Sequence, residues 1–428
     1  MKRPYQIDER KAIQRFRSHL RNDSGNIQLI VPLADIAERL RNGVDHMLFE
    51  AELQLLELIM QDEVSWLTGA RYKRHDGRAM ERWGTARGSV IMHGQKVPVE
   101  RPRIRGGSGD VKLGSYELFR RAEEMQRRVW SRVMRGLTMR GYDPAIRERD
   151  LAFGLSKSSI SDRFVLASTE QVSTLLKRDL SKLNLCALMV DGVEYCREHF
   201  VVALGIDQTG AKTILGFHQG ATENQQICDQ LLNGLAGRGL NLKQRFIAVI
   251  DGGRAIRASL KKHCGEHALV QRCQLHKRRN VTDHFADDQK KYWDRKLANA
   301  YDLLIYQDAK RALHQVHHEL MGVNPSAARS LEEGLDETLT VHRIGVPTEL
   351  RKVFRTTNPI ESAFSRVETV CRNVKRWRDG NHRERWIASA LIFAEQRFRR
   401  IVGCKAMPKL LSILRAYIGA SSKAGKIA

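Results

Sequence analysis

The chain of 428 residues carries 73 Lys+Arg against 49 Asp+Glu, a formal charge of +24. That length supports two to four domains with a well-buried core, and no stretch approaches the roughly 20 apolar residues of a membrane span. The basic start "MKRPYQIDERKAIQRF" has no apolar run behind it, so no secretory signal is expected, and seven scattered cysteines argue against a disulfide framework.

The excess of Arg and Lys implies a polyanionic partner, with nucleic acid favoured over a membrane surface, because Arg suits bidentate phosphate contacts. The basic residues are interleaved with ordinary core patterns, so the reading is a folded binder rather than a basic tail. A cytoplasmic, nucleoid-associated protein with no membrane partner is expected.

Residues 28–62 carry apolar positions at helical spacing, which predicts two helices serving assembly or docking. "SVIMHGQKVPVERPRIRGG" alternates around a His-Gly turn and predicts a β-hairpin followed by a loop. Residues 115–140 return to helix. In "RERDLAFGLSKSSISDRFVLAS" a helix ends at Gly154 and Ser156 can cap the next one. Ile160 and Phe164 point one way, while Lys157, Ser158, Ser161 and Arg163 lie elsewhere. The pattern is that of a helix-turn-helix with a polar recognition helix, or of an ordinary helical hairpin.

From residue 186 the period changes. "CALMVDG", "HFVVALGID" and "TILGFHQG" predict an antiparallel meander, with "DQTG" as a turn. A helix over 222–236, the strand "RFIAVIDGG", the helix "RAIRASLKKHC" and the strand "ALVQRC" give the order β-β-β-α-β-α-β. Residues 276–350 read as wholly helical. A further helix opens at "NPIES", with Asn358 able to cap, Pro359 at the first helical position and Glu361 as a capping-box carboxylate. The tail 419–428 is rich in Gly, Ser and Lys and is expected to fray.

Asp191 and Asp251 each end a predicted strand and are each followed by Gly. Asp-Gly after a strand is a common turn signal. If the first and fourth strands lie side by side, however, the two carboxylates come within metal-bridging distance, and a third acid at a helix start completes a site for two magnesium ions, manganese being the alternative. Cys273 and His276 have Cys-x2-His spacing near His263, Cys264 and His267, which fits structural support, substrate contact or zinc. Lys277, Arg278 and Arg279 follow at once and are expected to face phosphates. Lys375, Arg376 and Arg378 form a dense basic run with Trp377 and Trp386, read as a nucleic-acid contact or a solvated helix face.

"MVDGVEY", "IAVIDGG", "QRCQLHKRRNV" and "RTTNPIESAFSRV" resemble, in order, the motifs of Mutator-type transposases, the bacterial insertion-sequence enzymes of the DDE class. The resemblance covers about residues 145–402. It implies a mixed α/β fold: a ribonuclease H-like catalytic core with an all-helical insertion, preceded by a mainly helical DNA-binding region. The domains that follow are a docking region (1–70), a DNA-binding region (71–180), the first part of the core (181–275), the insertion (276–350), the last part of the core with its basic helix (351–418) and the tail.

Position by position, the resemblance makes Asp191, Asp251 and Glu361 the metal-holding catalytic triad, and Cys273 and His276 residues that shape the pocket. Glu194 and Glu368 are the rivals for the third acid. The activity implied is metal-dependent cleavage and strand transfer at the element's inverted repeats by a homodimer or higher oligomer on double-stranded DNA. The alternatives are a non-catalytic helix-turn-helix protein and a nuclease that does not join strands.

Overall fold

The structure, a computed structural model, describes residues 4–22, 44–71, 79–92, 95–107, 109–120, 122–137, 157–195, 198–220, 224–372, 374, 377 and 380–417. The expected helix before Gly154, Ser156, the His93–Gly94 turn, the basic residues Lys375, Arg376 and Arg378, and the tail lie outside the described residues. The chain divides into two compact units, residues 1–167 and 168–428.

In the first unit, α1 (Pro4–Asn22) and α2 (Val44–Thr68) precede β1 (Met80–Met92), β2 (Gln95–Gly106) and β3 (Gly109–Val111). These strands form one antiparallel sheet in the order β1-β2-β3. Of the two helices expected over 28–62, α2 covers 44–62, and residues 28–43 lie outside the described residues. Leu56, Met60 and Val64 of α2 share a core with Val90, Val97, Val99 and Ile104 of the hairpin. The short helix α3 (Gly114–Arg120) is held at its start by the buried Glu63. That carboxylate accepts the N–H groups of Gly114 and Ser115, both at 2.8 Å, and so satisfies two donors that a helix start leaves without partners. Helix α4 (Ala122–Met134) follows, and α5 (Lys157–Leu176) runs across the boundary between the units.

The second unit is built on β4 (Leu185–Tyr195), β5 (Glu198–Asp207), β6 (Lys212–Gly220), α6 (Gln225–Gly237), β7 (Phe246–Ile250), α7 (Arg254–Cys264) and β8 (Ala268–Arg272). The sheet order is β6-β5-β4-β7-β8. The meander β4–β5–β6 is antiparallel, and β4, β7 and β8 run parallel. The β5–β6 turn forms because Asp207 Oδ1 accepts from Thr209 N at 2.7 Å and Ala211 N at 3.0 Å, while Gly210 adopts φ +77. Leu231, Leu232 and Leu235 of α6 and Ile256 and Leu260 of α7 pack on one face of the sheet, against Leu188, Val190, Ala248 and Ile250. Each such Leu or Ile contributes about 1.5–3 kcal/mol when fully buried. Strand alternation puts Met189 and Asp191 on the opposite face.

After β8 the chain is helical: α8 (Gln274–Thr282), α9 (Asp287–Asp302), α10 (Tyr306–Val323), α11 (Pro325–Glu332), α12 (Leu335–Thr338), α13 (Thr340–Arg343) and α14 (Thr348–Phe354). These helices have a core of their own around Trp293, Leu297, Tyr301, Leu313, Leu320 and Leu331. Helices α15 (Asn358–Cys371), α16 (Gly380–Glu395) and α17 (Met407–Ala416) then return to the sheet, α15 against β4 and α16 against β6. Glu395 fixes α16 by accepting from Arg178 Nη1 and Nη2, at 2.7 and 2.8 Å, and from Ile214 N at 3.0 Å. The described cysteines 186, 228, 264, 273, 371 and 404 are free thiols. Among the described residues, no helix is long and apolar enough to cross a membrane.

Candidate functional site

The parallel ladders of β4, β7 and β8 end level with one another, at Val190, Ile250 and Arg272, and the residues that follow are the ones singled out by sequence. The β4–β7 ladder runs to the pair Val190–Ile250, so Asp191 and Asp251 are the next residues on adjacent strands. Asp191 was expected to end its strand. It does not, because antiparallel pairing with β5 continues through Asp191–Val202 to Tyr195–Glu198. Glu194, expected past the strand end, is therefore inside β4, opposite His199 and three residues from Asp191, which puts it on the other face. Glu368 is exposed on α15.

Asp251 leaves β7 into a tight turn: Gly252 adopts φ +111, and Gly253 N–H donates to Asp251 Oδ1 at 2.8 Å. Cys273 leaves β8 alongside, its N–H donating to Ile250 O at 2.7 Å. The Cys273 sulfur then caps α8 by accepting from His276 N at 3.5 Å.

Glu361 arrives from the far end of the helical stretch. The cap of α15 is Thr357, one residue earlier than the sequence implied, so Glu361 does not occupy the capping-box position. Thr357 is fully buried, and its hydroxyl lies 2.5 Å from Glu361 Oε1, 3.3 Å from His276 Nδ1 and 3.4 Å from Cys273 Sγ. It holds the Glu361 carboxylate toward the strand ends. Sequence reasoning missed Thr357; the signal was a second hydroxyl residue before "NPIES" at a helix start.

Burial, then the charges of Asp251 and Glu361, push Asp191 up to about 7, against the pull of His276. His276 is pushed up to about 9 by its hydrogen bond with Cys273 and by the negative charge of Cys273, Asp191 and Glu361. Its Nδ1 stands 3.9 Å from Glu361 Oε1. Burial works to raise the Cys273 thiol, but hydrogen bonds from His276 and Thr357 outweigh it and leave the thiol lowered. Cys273, His276 and Glu361 meet at the Thr357 hydroxyl, and Asp191 lies within electrostatic reach of Asp251, His276 and Glu361. Asp191 itself is 9 % exposed.

Among the described residues, Cys273, His276 and Glu361 bring three donor atoms within 4.8 Å of one another. The wider His/Cys set does not converge, because His263 bonds Asp229 at 3.0 Å and Cys264 lies in the sheet core.

The basic residues after His276 part company. Lys277, expected to face phosphate, is 3 % exposed, and its ammonium donates to Ser330 O at 2.6 Å and Glu333 O at 2.7 Å. Burial lowers its pKa to about 8. Its amphipathic stem and charge serve the junction of α8 and α11, and this cation cannot reach a surface ligand. Arg278 pairs with Asp294 through two hydrogen bonds, and Arg279 is exposed. In α5, Ile160 and Phe164 are buried, Ser158 is exposed, and Ser161 and Arg163 are half-buried. Trp386 is core, donating to His382 at 3.1 Å; Trp377 is half-buried and meets the Tyr195 ring edge-on at 5.6 Å.

A family model described as "Transposase, Mutator family" matches residues 27–398, reaching further toward the N-terminus than the motifs do. The chain is 26% identical over 349 residues to the transposase for insertion sequence element ISRM3 of Rhizobium meliloti, covering 77% of this chain and 82% of that one. It is 25% identical over 351 residues to the transposase for insertion sequence element IS905 of Lactococcus lactis, covering 78% and 83%. A third relative, the transposase for insertion sequence element IST2 of Acidithiobacillus ferrooxidans, is 26% identical over 213 residues, half of this chain and 70% of that one. With the family model spanning most of its length, the chain belongs to the Mutator family of transposases.

Proposed function

We propose that this protein is a DNA transposase whose second unit is a ribonuclease H-like core, with Asp191, Asp251 and Glu361 as the catalytic carboxylates. The observation that carries the reading is the placement of Asp191 and Asp251 directly after the last Val190–Ile250 pair of two adjacent parallel strands, with Glu361 bonded through Thr357 to Cys273 at the end of β8. The mixed sheet, with β4 and β7 parallel at its centre, supports the same reading. In α/β sheets, ligands gather beyond the carboxyl ends of the strands.

Two Asp and one Glu form a hard-oxygen donor set, and their shared excess of negative charge suits two magnesium or manganese ions. When bound, such ions supply Lewis-acid charge for attack and for departure at phosphorus. The chain's own residues do the rest. The Gly253 N–H and the Thr357 hydroxyl aim the Asp251 and Glu361 carboxylates. His276 holds a proton at neutral pH and offers positive charge beside Glu361, where a phosphate oxygen would come to lie. Cys273, as cap of α8, keeps that imidazole in place. Water and then a DNA 3′-hydroxyl serve as successive nucleophiles at one site, without ATP or a covalent protein intermediate.

The polar face of α5 reads the element's inverted repeats in this proposal, and two ends held at once require at least a dimer. The charge of +24 supports a DNA partner. Arg279→Gln is expected to reduce the slope of log affinity against log salt by about one, whereas Lys277→Gln leaves it unchanged. Filter binding across a salt series on end DNA checks both. Thr357→Val is expected to weaken metal-dependent cleavage about 10- to 100-fold at fixed DNA affinity, because the carboxylate it aims is released.

The reading as a whole is tested by incubating the protein with labelled end DNA, target DNA and magnesium. Strand-transfer products are expected. Nicks without joining would mean a nuclease, and binding alone would mean a DNA-binding protein with a silent core.

A further inference from the structure

The end of β8 holds a buried cation that the chemistry above does not use. Arg272 stands in register with Ile250, the residue before Asp251, and is 6 % exposed. Its guanidinium spans two segments far apart in sequence. Nη2 donates to Gly252 O and Nη1 to Glu333 O, both at 2.7 Å. Glu333 O also accepts from Lys277 Nζ at 2.7 Å. This carbonyl belongs to the C-terminal cap of α11, where helix carbonyls lack intrahelical partners and the helix dipole favours positive charge.

Both segments are shaped around the guanidinium. A Cβ on Gly252 would lie 2.4 Å from Arg272 Nε and Nη2, and one on Gly334 would lie 2.3 Å from Nη1. The chain keeps glycine at both places, with φ +111 and +67.

The peptide that Arg272 grips is the decisive point. Gly252 C=O and Gly253 N–H belong to one planar unit. Its oxygen accepts from Arg272, and its N–H donates to Asp251 Oδ1 at 2.8 Å. Fixing the oxygen fixes the direction of the N–H, and a charge-assisted bond on one end of a peptide strengthens the bond at the other.

We propose that Arg272 is a positioning residue for Asp251, locking the Gly252–Gly253 peptide to the end of α11 so that the helical stretch sets the aim of the carboxylate. The inference rests on Asp251 being a metal-holding carboxylate, and its test separates the two claims.

Mn²⁺ binding to the intact, metal-free chain is measured by calorimetry for wild type, Asp251→Asn, Arg272→Met, Arg272→Lys, Gly334→Ala and the double variant Arg272→Met/Gly334→Ala. End-DNA affinity and thermal melting are recorded beside it. Arg272→Met is expected to weaken Mn²⁺ binding about tenfold or more while DNA affinity stays within about twofold. Arg272→Lys, able to reach one carbonyl, restores part of the loss. Gly334→Ala, in a segment that contains none of the three carboxylates, weakens Mn²⁺ binding by displacing the guanidinium and adds nothing further once Arg272 is Met.

If Asp251→Asn loses Mn²⁺ while Arg272→Lys and Gly334→Ala bind it like wild type, Arg272 has no positioning role, even where Arg272→Met fails to fold. If Asp251→Asn itself binds Mn²⁺ like wild type, the carboxylate assignment fails first, and the role given to Arg272 falls with it.

Discussion

Asp251→Asn is expected to bind end DNA at least as tightly as the wild type and to cut it at least about 10³-fold more slowly, a loss typical of removing one member of a group that acts as a unit. Asn preserves the shape of the side chain and can still accept the Gly253 N–H at the position now held by Asp251 Oδ1. What changes is one unit of charge and one oxygen ligand. Removing a negative charge from a surface that meets a polyanion cannot weaken binding electrostatically. The two readouts are therefore expected to diverge, and single-turnover cleavage beside a binding isotherm on the same DNA measures both. Equal cleavage by the two proteins would refute the role given to Asp251.

Asp191→Asn is expected to stabilise the metal-free protein at pH 8 and leave its stability at pH 4 nearly unchanged. Asp191 sits near 7 in the fold, against an ordinary value of 3.8, because it is buried and faces Asp251 and Glu361. Below about pH 4 the carboxyl is protonated in folded and unfolded chains alike. Between 4 and 7 the unfolded chain releases the proton while the folded one retains it, so stability falls as pH rises. Above 7 the full penalty is present, on the order of 2–4 kcal/mol. Urea melts of both proteins at pH 4, 6 and 8 measure the difference, which should grow along that series. A constant difference would mean that Asp191 is not strained by its neighbours. Added Mn²⁺ should narrow the gap by stabilising the wild type more than the variant.

The sheet was legible because its strands are short β-branched runs, and "IAVIDGG" ends where its turn chemistry says it does. The extent of β4 was not legible. Whether Asp191 ends a strand depends on how far β5 pairs beside it, a non-local matter invisible in "MVDGVEY". The cap of α15 was misplaced by one residue because Thr357 and Asn358 both favour that position locally. Thr357 makes no side-chain capping bond; its hydroxyl instead meets Cys273 and His276, more than 80 positions away. Lys277 failed for a similar reason: a charged residue in a basic run reads as surface, and its burial is imposed by carbonyls of Ser330 and Glu333. The candidate carboxylates could be named because acids at strand ends and helix starts leave a local signal. The groups that aim them, Thr357 and Arg272, leave almost none.

The helical stretch leaves the sheet after β8, and its far end returns beside its start. Gln274 N donates to Arg355 O at 2.9 Å, and Thr357 meets Cys273 across 84 positions of chain. A loop of that length carries a closure entropy of about 4 kcal/mol if it must be closed from a flexible coil. The helices between have their own core and mostly local contacts, so they are the faster part to form. Once formed, they bring the two ends of the stretch together in advance. On that order Glu361 is expected to reach the strand ends late in folding, on an already assembled helical body, and a lesion deep in that body to delay maturation of the site without touching any residue in it.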